Sequence, residues 1–300
     1  MLLLFVDGVG LAPAGADNPL ATMPTPALAG LLGGPLTAER VQRREGLLLA
    51  PLDACLGVAG LPQSATGQTT LFTGVNASRH LGRHVAAFPG PSLRALLAAS
   101  SVLKRAASAG RAVTFANPFT DSYFAAVAAR RRRHSATTWA ALAAGLALRD
   151  RADLVAGRAV TWDVLRDRFS SALAAGGEEP VAPVAAREAG AHLAGLAAAH
   201  HLTLYETFLT DLAGHHRFGL TAGEALARLD GLLAGVLAHL PADLTVVLTS
   251  DHGNLEDASH RRHTRNPVPL LAVGPAAGRF AGLAGLDEVA GRVLAVLGAG

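Results

Sequence analysis

Short apolar runs of four to eight residues recur along the chain, at residues 2–6, 46–50, 112–116, 202–209, 244–248 and 270–273. The first of them is apolar without alternation, the pattern of a strand covered on both faces and hence of a parallel sheet. Between the runs lie stretches with helical periodicity, at residues 26–32, 66–72, 93–109, 137–148, 184–199, 220–240 and 286–297. Strands alternating with helices predict an α/β fold, a mostly parallel sheet sandwiched by helices. From residue 85 to 183 the character changes: arginines become frequent, and Gly176-Gly177-Glu178-Glu179-Pro180 reads as a linker. This predicts an inserted smaller α/β cap domain (85–183) in a discontinuous core of residues 1–84 and 184–300.

The polar positions matter most where the apolar runs stop. Asp7 ends the first run, Asp211 follows the fourth, and Asp251 follows the fifth. In parallel α/β sheets, ligands bind outside the carboxyl ends of the strands, so these three carboxylates are expected on one rim. Residues 249–269, TSDHGNLEDASHRRHTRNPVP, are the densest such stretch, with Asp251, His252, Glu256, Asp257, His260 and His263 around turn-forming Gly253 and Asn254. Asp211 and His215 are four apart, and on one helical turn they would share a face and could share one ion. Ser64 opens the predicted helix at 66–72, where backbone N–H groups and the macrodipole favour an alkoxide or a phosphate. An isolated Ser at such a place is also an ordinary cap; the convergence with the carboxylates gives it weight.

Composition narrows the class. Half the residues are hydrophobic and 16% are charged, which supports a large core and argues against disorder. The net charge is +3, carried almost wholly by arginine, with Lys104 the only lysine. No run resembles a nucleic-acid arm except residues 130–134, which read either as a solvated helix face or as a clamp for a phosphate group. The single cysteine, Cys55, excludes an intrachain disulfide and fits a reducing, cytoplasmic compartment. The N-terminal run lacks a basic region before it and stops at Asp7, unlike a signal peptide. No uninterrupted apolar stretch is long enough to span a membrane.

Three carboxylates and three imidazoles on one rim suffice for two divalent ions, and mixed N/O ligation without thiolate suits Zn²⁺ or Mn²⁺. Two ions about 3.5–4 Å apart stabilise both the attacking and the leaving oxygen of a phosphoryl transfer. A neighbouring serine is then a nucleophile.

The motifs FVDGVG around Asp7, SATGQTTLFTG from Ser64, TDLAGH from Asp211, TSDHGNLED from Thr249 and HTRNPVP from His263 resemble, in order and spacing, the alkaline phosphatase superfamily. They are most similar to the branch of cofactor-independent phosphoglycerate mutase and phosphopentomutase. The resemblance implies that Asp211, His215 and His263 bind one metal, and that Asp7, Asp251, His252 and the nucleophile Ser64 bind the other. Thr66 is the alternative nucleophile, since some relatives use threonine. Gln68 stands where the mutases carry histidine, the insertion is shorter than that of phosphoglycerate mutase, and Arg166-Asp167-Arg168 is only a faint echo of its arginine motif. The expectation is a two-metal phosphatase or intramolecular mutase acting on a small phosphorylated substrate through a phosphoserine, with neither nucleic acid nor membrane as a partner. A phosphodiesterase of the same superfamily, or a non-catalytic metal-binding protein, are the alternatives. Arg83 and His84 at the start of the insertion, and Arg131 and Arg133 within it, are candidate substrate contacts. Glu256 and Asp257 are expected to support the ligating imidazoles.

Overall fold

The run at residues 2–6 forms β1 (Leu2–Val6), an interior strand with every residue buried. The chain passes through α1 (Pro19–Thr22) and α2 (Pro26–Leu32) to a hairpin of β2 (Gln42–Arg44) and β3 (Leu47–Leu52). Then come α3 (Ser64–Thr73), α4 (Ala77–Leu81), α5 (Pro91–Ser100), α6 (Val102–Ser108) and β4 (Val113–Phe115). Beyond β4 lie α7 (Asp121–Ala128), α8 (Ala136–Ala143), α9 (Arg151–Val155), α10 (Asp167–Ala175) and α11 (Ala186–Ala198). The chain closes with β5 (Leu202–Thr207), α12 (Leu209–Gly214), α13 (Ala222–His239), β6 (Val246–Thr249), β7 (Val268–Val273) and α14 (Val289–Leu297). The structure, a computed structural model, describes residues 1–299.

All seven strands join one sheet in the order β2-β3-β7-β6-β1-β5-β4. β4, β5, β1 and β6 pair in parallel, β7 is antiparallel to β6 and β3, and β2 is antiparallel to β3. Only β2 and β7 therefore run against the rest, and the sheet is mostly parallel as expected. β7 reverses because residues 250–267 return from β6 without a crossover helix, which a parallel return would require. Register sets the rim: Val6 lies opposite Thr207 and Phe5 opposite Thr249, so Asp7, Asp251 and the start of α12 emerge side by side.

Helices cover both faces. On one, residues of α3, α5, α6, α8 and α14 pack on Phe5, Leu3 and Leu204; Phe5 meets Phe72 edge-on at 5.5 Å. Such a pair adds about 1 kcal/mol beyond its area burial. On the other, α2, α11 and α13 pack on Leu2, Leu4 and Tyr205.

The expected boundary at residues 85–183 does not isolate a separate domain. β4 forms the edge of the main sheet beside β5, and α5, α6 and α8 belong to the same core as Phe5 and Phe72. Two physical demands draw them in: the apolar faces of these helices need burial, and β4 covers the open edge of β5. The predicted helix at 93–109 is in fact two, broken at Ser101, whose Oγ caps α6 by accepting the Lys104 N–H at 3.3 Å. In the later part of the segment Leu154, Ala159, Phe169, Leu173 and Val181 form a small cluster of their own, while Val160 and Val164 join the core beneath Leu2 and Tyr205. Among the described residues, no helix is long and apolar enough to cross a membrane.

Candidate metal centre

α3 has no apolar stripe, yet residues 65–73 are all buried. Its threonines make this tolerable: Thr69, Thr70 and Thr73 each donate to the carbonyl four residues back, at 2.6, 2.8 and 2.7 Å. A polar helix can thus stand against the sheet and bring its first residue, Ser64, to the rim. Ser64 Oγ lies 3.1 Å from His252 Nε2. The same Nε2 is 3.3 Å from Asp7 Oδ1 and 3.5 Å from Asp251 Oδ2.

Beside this group stands a second. Asp211 is in the first turn of α12 and His215 is its C-cap, so the expected shared face exists, with His215 Nε2 3.3 Å from Asp211 Oδ1. His263 Nε2 completes the group, 3.1 Å from His215 Nε2 and 3.6 Å from Asp211 Oδ1. The rings of His252 and His263 stack with centroids 3.6 Å apart, and His252 is within metal-sharing reach of both groups. It therefore stands between the two sets rather than at the far side of one. The approach is close enough that Gly8, at φ +73°, has Asp211 Cα 2.8 Å from where a Cβ would sit. Only glycine fits there on both counts.

The supporting contacts differ from expectation. His215 Nδ1 pairs with the Arg261 carbonyl and His263 Nδ1 with the Pro62 carbonyl, both at 2.8 Å. A neutral ring that donates from Nδ1 presents a bare lone pair at Nε2. Glu256 spends its hydrogen bonds on the loop: it accepts the Gly10 and Asn254 N–H groups at 2.8 Å and the Asn266 amide at 3.1 Å, with Thr264 Oγ1 bonded as well. Asp257 pairs with Ser259 and His260 away from the centre. Gln68, noted in the sequence only as a departure, donates from one amide nitrogen to Asp7 Oδ2 at 3.2 Å and Asp251 Oδ2 at 3.1 Å. Asn254, not singled out at all, donates to Asp211 Oδ1 at 2.8 Å.

Thr66 does not fit as the alternative hydroxyl. It is 1% exposed, donates to the Gln63 carbonyl and accepts the Val85 N–H, both at 3.1 Å. Arg83 and His84 lie in the turn leading to Val85, and His84 Nε2 is 3.3 Å from the Val58 carbonyl rather than at the centre. Arg131 and Arg133 are exposed and lie past the end of α7, not on a helix face.

Electrostatics follow from crowding. Burial, then the Asp251 and Asp211 carboxylates, pushes the Asp7 carboxyl well above its ordinary range, and burial also raises Asp251. At Asp211 burial is outweighed by His215, His252 and Asn254, which hold it below its ordinary value. Its bond to Asp211 raises His215, whereas burial and the neighbouring His252 push His263 down to about 4. Asp7 Oδ1 and His252 Nδ1 are buried without a hydrogen-bond partner. Two imidazole Nε2 atoms 3.1 Å apart beside the Asp211 carboxylate, and a buried Asp7 oxygen without a donor, make a setting that suits cations.

Residues 186–299 match the family model described as "Metalloenzyme superfamily". The chain is similar to that superfamily over this C-terminal part, and its fold is alkaline phosphatase-like. Among solved structures, the chain superposes on PH0037 from Pyrococcus horikoshii with a TM-score of 0.58 at 14% identity, covering 100% of this chain and 96% of that one. Alkaline phosphatase from the Antarctic bacterium TAB5 gives 0.54 at 13%, covering 100% and 98%. The Thermus thermophilus alkaline phosphatase gives 0.52 at 13%, covering 100% and 91%. These likenesses concern the fold. A phosphopentomutase from Chromohalobacter salexigens is 44% identical over 63 residues, 21% of this chain and 15% of that protein's length. The facing oxygen and imidazole donors suit divalent ions.

Proposed function

We propose that this protein is a two-metal phosphoryl-transfer enzyme acting on a small phosphorylated substrate through a phosphoserine at Ser64. The observation that carries the reading is the placement of Ser64 Oγ, 3.1 Å from the imidazole shared by two facing donor groups. Asp211, His215 and His263 would hold one ion, and Asp7, Asp251, His252 and Ser64 the other, with Mn²⁺ or Zn²⁺ matching the donors. When bound, such ions polarise phosphoryl oxygens and lower the pKa of a coordinated hydroxyl.

The chain's own part is positioning. Ser64 is the first residue of α3, so its oxygen lies where the helix dipole favours developing negative charge. The bond from Oγ to phosphorus forms as the ester bond to the leaving oxygen breaks. Water then takes the phosphoryl group from Ser64. Hydrolysis is favoured over return to the same molecule because β4 and helices α5, α6 and α8 of the insertion are committed to the core layers, leaving less of it to close over the site.

The test is turnover of an aryl phosphate panel, mono- and diesters, by protein loaded with Mn²⁺ or Zn²⁺. Monoester turnover is expected, falling about a thousandfold or more in Ser64→Ala with both metals still bound. Ser64→Ala at wild-type rate removes the phosphoserine. A loaded wild type that turns over nothing favours the non-catalytic metal-binding alternative.

A further inference from the structure

Residues 130–133 are four consecutive arginines, and the structure does not place them on a helix face. α7 ends at Ala128, and Arg130 takes a left-handed φ of +57°. The N–H groups of Arg131 and Arg132 both turn back to the Ala126 carbonyl, at 2.8 and 3.1 Å. The chain curls so tightly that all four arginines, with Phe88, line a single hollow of about 340 Å³. A non-glycine residue at positive φ is uncommon, and such backbone clusters at ligand clamps.

The hollow is partly rigid. The Arg133 guanidinium lies 5.4 Å from the centroid of Phe88, and that of Arg132 lies 5.5 Å from that of Tyr123. Tyr123 is itself pinned by its hydroxyl, 2.7 Å from His134 Nδ1. Among the described residues, arginine–carboxylate ion pairs involve Arg149, Arg151, Arg158 and Arg228, and none of these four. Four like charges around one hollow repel each other at this range. A carboxylate would offset one of them, a phosphate dianion two, and guanidinium forks match phosphate oxygens two at a time.

Its position links it to Ser64. Ser135, two residues past Arg133, is bonded with Thr137 to Glu206 near the carboxyl end of β5, and Glu206 lies opposite Phe5, two residues before Asp7, so the segment is anchored at the rim that carries the candidate centre. Phe88 is three residues beyond Val85, which exchanges two hydrogen bonds with Thr66 in the first turn of α3. Three extended residues reach at most about 11 Å. The hollow is thus tied on one side to the first turn of α3 and on the other to the carboxyl end of β5.

We propose that Arg130–Arg133 and Phe88 form a second phosphate subsite, for a group remote from the phosphoryl that reacts. The substrate class is then a small molecule carrying two phosphate groups. This rests on the phosphoryl-transfer reading above, and the experiment separates the two. Propane-1,3-diyl bisphosphate and propyl phosphate are compared as substrates of the metal-loaded wild type and of the Arg131→Gln/Arg133→Gln double variant. The wild type is expected to favour the bisphosphate at least tenfold in kcat/KM at low salt, chiefly through KM, and the double variant to lose most of that ratio. No preference in the wild type, an unchanged ratio in the variant, or a parallel fall on both substrates overturns the subsite. Sulfate binding to EDTA-treated protein, followed by calorimetry, is independent of turnover. It is expected to weaken about tenfold in the double variant, and equal binding overturns the subsite. If the wild type turns over neither phosphate while sulfate binding still weakens, the subsite stands and the phosphoryl-transfer reading falls.

Discussion

Gln68 and Glu206 are buried polar side chains outside the candidate ligand set. Gln68 joins carboxylates that issue from different strands, Asp7 after β1 and Asp251 after β6, through one amide nitrogen. Partners behind a ligand are worth about 10–100-fold in metal affinity. Gln68→Leu is expected to weaken Mn²⁺ or Zn²⁺ binding by at least the lower of these factors, and a titration with unchanged affinity would remove Gln68 from the site. Glu206 is fully buried at the end of β5 and is bonded by Thr137 and Ser135; burial raises its carboxyl to about 8 against an ordinary 4.5. Between those values the fold keeps a proton that the unfolded chain has lost, so this group's contribution declines as pH rises through the window. Glu206→Gln keeps a polar group beside both hydroxyls without the titration. The melting temperature of Glu206→Gln is expected to fall less than that of wild type between pH 5 and 8, and parallel pH profiles would refute this.

Helices set the spacing that residues exploit. α11 and α13 cross where Gly190 and Gly235 face each other: a Cβ on Gly190 would lie 2.2 Å from the Leu232 carbonyl oxygen, and one on Gly235 2.0 Å from that of Arg187. Either alanine must push the backbones apart, for about 1–3 kcal/mol. Because one separation serves both, the Gly190→Ala/Gly235→Ala double variant is expected to lose less than the sum of the singles in denaturant melts; strict additivity would show that the two glycines act separately. Nothing in the sequence marks this crossing, since a glycine in a helix tells only of its own propensity. β1 and the long helix at 220–240 were legible for the opposite reason, their patterns being set by burial along one element. α3 was legible through its motif and its flanking turns, because buried threonines that bond their own backbone leave no apolar stripe. The misread segment is instructive. Its arginine-rich surface suggested a separate cap, while the β4 pairing that binds it to the core depends on a partner strand 89 residues away (Val113 opposite Leu202).

At the scale of the whole molecule, the rim was legible because strand ends can be read from sequence and parallel strands end together. The stacking of His252 on His263, the Gln68 bridge and the carbonyls behind His215 and His263 were not, because they join segments about 11 to 201 residues apart by chain tracing alone. Those joins tie β1, α3, α12 and the β6–β7 loop into one knot, so metal at the knot should stabilise the entire fold. Stabilisation by a ligand present at a hundred times its Kd is about 2.7 kcal/mol. Its pH dependence follows from the groups involved. Asp7 and Asp251, raised by burial, hold protons in the metal-free fold that the unfolded chain releases, so that fold weakens as pH climbs above the ordinary carboxylate value of 3.8. His215, also raised, adds the same sign through its own titration. His263, lowered to about 4 against an ordinary 6.5, has the opposite sign, but only below about 6.5. Metal binding requires the deprotonated ligands and is strengthened as protons leave. The gap in melting temperature between Mn²⁺- or Zn²⁺-loaded and EDTA-treated protein is therefore expected to widen steadily from pH 6.5 to 8.5. A gap that stays flat over that range, or metal that leaves the melting temperature unmoved, would mean that these carboxylates and imidazoles hold no ion.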